Sequence, residues 1–176
     1  MTTLGDLAAG AEMVVNGVTY SNFEVAVKGS GLSADLDDYA VMAAPGGGFT
    51  VELADGEKPG KSGKLTLDYD ASGSALVSAM LSVAGVEGAK IKASQKLRDQ
   101  KTVGKLSAKT KSGGELDTTD LPSLASVGVK SQIKAKGGGS VTAAAAGAIV
   151  VPEPATGGLV AVGLLGLALT ARRRSA

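Results

Sequence analysis

Cysteine, histidine and tryptophan are absent from this 176-residue chain, and aromatic residues make up only 3% of it. Each absence removes a chemistry. Without cysteine and histidine there is no disulfide framework, no Cys/His zinc site, no Ser–His–Asp or Cys–His triad and no histidine-ligated haem. The missing cysteine fits any redox compartment and leaves location open. Carboxylate pairs, lysine nucleophiles and calcium sites remain. What the chain does have is 26 glycines and a hydrophobic content of 44%, enough apolar residues for a core and many turns. A net charge of +1 argues against a polyanion binder acting with its whole surface.

The charge is unevenly spread. Residues 1–89 carry 4 basic and 12 acidic side chains, residues 90–136 carry 11 basic and 4 acidic ones, and the remainder holds Glu153 and three arginines. A basic half of this kind can attract polyanions, although the plainer reading is two oppositely charged, solvated halves of one sheet structure.

Periodicity in the body is two rather than 3.6. Phe23, Val25 and Val27 alternate with Glu24, Ala26 and Lys28; Leu65, Leu67 and Tyr69 alternate with Thr66, Asp68 and Asp70. Val127, Val129, Ile133 and Ala135 interleave with Lys130, Lys134 and Lys136. Asn16-Gly17 between β-formers predicts a tight hairpin. Glycine-rich and proline-containing turns at 29–31, 45–48, 58–60, 112–114 and 137–139 separate the runs. Residues 74–86 read as strand or short helix, with strand favoured by the bracketing Gly73 and Gly85. The expectation is an all-β fold, an antiparallel β-sandwich of roughly seven to nine strands over residues 1–150, with a core of valine, leucine, isoleucine and alanine. So few aromatics predict less buried area per residue and modest stability.

Within the body no motif compels a chemistry. Asp35, Asp37 and Asp38 form an acidic loop cluster, but calcium takes about six to eight oxygens and the EF-hand spacing is missing. Asp68 and Asp70 share one strand face, as a glycosidase carboxylate pair can, with nothing else to mark a sugar cleft. Lys90, Lys92, Lys105, Lys109 and Lys111 are candidate polyanion contacts. No aromatic residue interleaves them, so nucleic acid is not an expected partner, while loose attraction to an anionic matrix or extracellular polysaccharide stays open. Gly137-Gly138-Gly139 lacks the lysine and hydroxyl residue of a phosphate loop. No enzymatic activity, metal or cofactor is expected.

The C-terminus is different in kind. Residues 151–156 hold Pro152-Glu153-Pro154, and residues 157–176 hold an apolar helix with a basic tail. The uncharged run from Ala155 to Ala171 has 17 residues. As a helix it would reach ~25 Å at ~1.5 Å per residue, the short end for a transmembrane helix. Arg172, Arg173 and Arg174 would stop transfer and remain cytoplasmic. The prolines hold the preceding backbone extended, an accessible recognition strip.

This order of Pro-Glu-Pro, apolar run and arginine cluster resembles the PEP-CTERM sorting signal of Gram-negative bacteria that make extracellular polysaccharide. The resemblance implies recognition of Pro152, Glu153 and Pro154, and processing of the tail, by exosortase, a membrane-embedded enzyme. Arg172, Arg173 and Arg174 would be the cytoplasmic anchor. More loosely, 3–7, 20–23 and 127–130 resemble parts of PEP-CTERM proteins of unknown role. Such proteins carry an N-terminal secretion signal, whereas Met1 to Leu7 shows no basic n-region and no apolar h-region follows. The expectation is a true start upstream, and an exported protein delivered through the inner membrane to the cell envelope or extracellular matrix. The competing reading is a polysaccharide-binding or adhesion module on a plain membrane anchor.

Overall fold

Val15 pairs with Val18 across the Asn16-Gly17 turn, and both turn residues take positive φ, 50° and 78°. That is the geometry that lets a two-residue turn follow the twist of its strands. The computed structural model describes residues 2–44, 47–58, 61–84, 90–110, 115–136 and 144–150. Lys111, the Pro-Glu-Pro tripeptide, the apolar run and the three arginines lie outside the described residues.

The strands are β1 (Thr2–Thr3), β2 (Met13–Val15), β3 (Val18–Lys28), β4 (Ala40–Ala43), β5 (Phe49–Glu52), β6 (Ser62–Ala84), β7 (Lys90–Asp99), β8 (Lys101–Thr110), β9 (Glu115–Lys136) and β10 (Ala144–Val150). Ten are thus formed among the described residues where seven to nine were expected; the short pieces β1 and β2 account for the excess. All pairings are antiparallel.

Two strands organise the rest. β6 has 23 residues and β9 has 22, each ~70 Å long at ~3.3 Å per residue, too long for one layer. They run side by side and turn a corner together. Between Ser72 and Ser78 the register against β9 slips twice. The facing segment holds Pro122, which cannot donate to a ladder, and Ser123, whose φ is 50°. Such irregularities let a strand leave one sheet and enter another. Before the corner, residues 62–72 of β6 join β3, with β2 beside it, and residues 126–136 of β9, followed by β7 and β8. After it, residues 78–84 of β6 join β10, β5, β4 and β1, with residues 115–120 of β9 on the other side. One continuous hydrogen-bonded sheet therefore forms both layers of a sandwich-like fold.

The layers meet through aromatic rings. Phe49, from the second layer, lies with its ring centre 5.1 Å from Tyr20, 5.8 Å from Phe23 and 5.2 Å from Tyr69, all of the first layer. These are edge-to-face contacts, each worth ~0.5–1.5 kcal/mol beyond burial. All five aromatics of the chain are buried, so the core is not the purely aliphatic one the composition implied. The helix α1 (Leu4–Ala8) was not expected at all. Thr3 and Asp6 close a capping box at its start, and Leu4 and Leu7 are fully buried. No helix among the described residues is long and apolar enough to cross a membrane.

Candidate functional site

The outward face of the first layer is where the charges converge. Strand alternation sends Leu65, Leu67 and Tyr69 inward, leaving Lys64, Thr66 and Asp68 outside. The same alternation sends Ile91, Ala93, Gln95 and Leu97 of β7 inward and Lys92, Ser94 and Lys96 outward. In β3 the parity slips at a bulge between Ser21 and Glu24, where Asn22 has φ 55°. Tyr20 before it and Phe23 after it are thereby both buried, and Lys28 comes out exposed.

Register then aligns the outward lysines. Lys28 of β3 pairs with Lys64 of β6, Lys64 with Lys134 of β9, Lys134 with Lys92 of β7, and Lys92 with Lys109 of β8. Five lysines thus stand in one row across five adjacent strands, a reach of ~19 Å at ~4.8 Å per strand. Lys136 and Lys90 form a second pair next to that row. On the other side comes a neutral row of Thr66, Gln132, Ser94 and Ser107. Beyond it lies a mixed row in which Glu24 and Asp68 meet Lys130, Lys96 and Lys105.

The mixed row is internally compensated. Lys130 Nζ bonds Asp68 Oδ2 at 2.6 Å. Asp70 Oδ2 accepts from Asn22 Nδ2 at 2.9 Å. Asp68 and Asp70 do share a face, as expected, beside an open groove of about 320 Å³ that Asn22 and Glu24 also line. Each carboxylate, however, already has a partner. Among the described residues no carboxylate bonds Lys28, Lys64, Lys92 or Lys134.

The structure therefore brings together four of the five candidate lysines, Lys90, Lys92, Lys105 and Lys109, while Lys111 lies outside the described residues. Sequence reasoning missed Lys28 and Lys64, which sit in the acidic half of the chain. Their outward parity at the ends of alternating runs was the available signal.

The acidic loop does not converge on a cation. Asp35 Oδ1 accepts from the Asp37 amide at 3.0 Å, Asp37 Oδ1 accepts from the Thr3 hydroxyl at 3.0 Å, and Asp38 accepts from the Ser33 hydroxyl. These bonds tie a 3₁₀ turn, Leu36–Asp38, to the start of α1. Among the described residues no group of three or more carboxylates is placed to hold a metal. Tyr39 follows the turn, fully buried, and donates to the Ser33 carbonyl at 2.6 Å. Burial, and then the Asp38 charge, push its phenol up to about 12. The Tyr69 phenol is raised further by burial and by Tyr20, against hydrogen bonds with Ser131 and Gln95.

Among solved structures, the chain is similar to the module TmCBM61 in complex with β-1,4-galactotriose: 12% identity, 74% of this chain, 88% of that one, TM-score 0.43. It is also similar to CsCBM6-3 from Clostridium stercorarium in complex with cellobiose: 12% identity, 72% and 87% coverage, TM-score 0.27. A family 11 carbohydrate-binding module from Clostridium thermocellum matches at 10% identity, 82% and 97% coverage and TM-score 0.27. Likenesses this loose carry no argument about ligand. No curated protein matches the chain. The sharp match is at the other end: residues 150–174 are a PEP-CTERM protein-sorting motif.

Proposed function

We propose that this chain is an exported, non-enzymatic, matrix- or envelope-associated protein whose tail is recognised and processed by exosortase. The observation that carries the reading is the sorting motif at residues 150–174. Pro152 and Pro154 disfavour helix on either side of Glu153, which suits a strip that a processing enzyme would grip. The apolar run holds that strip at the bilayer, and Arg172, Arg173 and Arg174 fix its far end in the cytoplasm. The tail is the addressed part, and the β body is the cargo left outside.

Body and tail are joined closely. β10 is an internal strand, paired with both β5 and β6, and its last residue, Val150, is the first of the motif. Processing near Pro152 would release a folded layer with hardly any linker.

Intact mass of the C-terminal fragment from native cells tests the reading. A mature chain ending near Pro-Glu-Pro, and accumulation of the uncut chain in Glu153→Ala, are the expected results. A chain that still ends at Ala176, indifferent to Glu153→Ala, would leave a plain membrane anchor and an adhesion module as the better account.

A further inference from the structure

The stretch Lys28–Lys64–Lys134–Lys92 of the lysine row is costly in isolation, because like charges directly opposite on neighbouring strands repel. The lysines rise from strands ~4.8 Å apart, against a screening length of ~8 Å in physiological salt, so the repulsion is relieved only as far as the side chains splay and ions intervene. We propose that this row is a binding track for a linear, carboxylate-bearing polysaccharide laid across the strands. Such a polymer carries a negative charge on each successive sugar ring, at a spacing close to that between adjacent strands. One bound chain would therefore neutralise several rungs at once and release their counter-ions. The adjacent neutral row of Thr66, Gln132, Ser94 and Ser107 offers hydroxyl and amide groups to the sugar hydroxyls. The acidic end of the mixed row, Glu24 and Asp68, repels a polyanion and so borders the track on that side.

Three observations choose this occupant. All five aromatic side chains are buried, so the face has nothing on which bases or neutral sugars could stack. No large apolar residue is exposed on the ladder that would enter a bilayer; the exposed large hydrophobics among the described residues are Val14 and Met42, both elsewhere. β10 ends at Val150, the first residue of the motif, opposite Ser78 at the corner of β6, whereas Lys64 is eight residues before the other side of that corner, Ser72, or ~26 Å along the strand. On the export reading, on which the extracellular nature of the partner rests, the track is therefore set away from the membrane end.

The test uses the full-length chain in non-ionic detergent on immobilised polygalacturonate, with neutral dextran, a DNA duplex and anionic-lipid vesicles in parallel. The chain should be retained on polygalacturonate and not on dextran, with affinity falling steeply as salt rises. Replacing Lys64, Lys92 and Lys134 together by serine should lower affinity at least tenfold without lowering thermal stability. The same charge change made at Lys58, Lys61 and Lys101, outside the row, should cost less than threefold. Equal loss in the two triple variants, no retention at all, or tighter binding to DNA or vesicles would each overturn the proposal. Tail processing is read by mass and binding by retention, so the two proposals fail separately.

Discussion

The two layers of the sandwich turn similar surfaces inward and opposite ones outward. Inward, Phe49, Val51 and Leu81 of one layer meet Tyr20, Leu67 and Tyr69 of the other, all nearly inaccessible. Outward, the first layer carries the lysine row. The strands of the second layer, β1, β4, β5, β10 and the corner-side parts of β6 and β9, contain no lysine or arginine. Their outward positions are neutral or acidic, such as Thr50, Met80, Thr118 and Asp120. Burial constrains both inner faces in the same way, whereas solvent tolerates almost any outer face. An outer face that concentrates one charge is therefore not dictated by the packing of the core.

The largest expected effect breaks the inward similarity. Phe49→Ala removes the ring through which the second layer meets three aromatics of the first, and should cost ~3–5 kcal/mol in urea unfolding. Full stability in that variant would mean that the layers do not share this core.

A smaller effect sits at the loop that anchors α1. Tyr39→Phe loses the bond to the Ser33 carbonyl and should cost ~1 kcal/mol. The pH dependence has a fixed sign. The folded phenol keeps its proton up to about 12, while the unfolded one loses it near 10.0. Its contribution is thus present below pH 10 and lost as pH rises from there to about 12. Denaturant titrations over that window should show a shallower decline in Tyr39→Phe than in the parent.

The smallest effect sharpens the outward difference. Lys92→Glu places an acid between Lys134 and Lys109, and should raise stability by ~0.2–1 kcal/mol while weakening polygalacturonate retention. A variant that loses stability as well would show that the row serves the fold and not a ligand.

Much of this was legible and some could not be. Asn16-Gly17 announced its hairpin, and the run from Leu65 to Tyr69 announced a half-buried strand. The five-residue helix escaped because its signal is a single capping box, Thr3 with Asp6, rather than a periodic face. β6 read as two strands broken at Gly73, since a corner looks locally like a turn. The side chains of the acidic loop are exposed, and what the sequence did not show is that Ser33, Thr3 and the loop's own amides hold them in place.

By itself, the sequence determined the alternation that makes the body a two-faced β structure, the exclusion of thiol and imidazole chemistry, and the sorting motif at residues 150–174. Those are local properties, readable from neighbouring residues. Only the tertiary structure decided that Lys28 and Lys64, from the acidic half, stand in one row with Lys134, Lys92 and Lys109 from the basic half. Register between strands tens of residues apart is set by which apolar faces pack together, and a slip of one residue would have turned every lysine of a strand into the core.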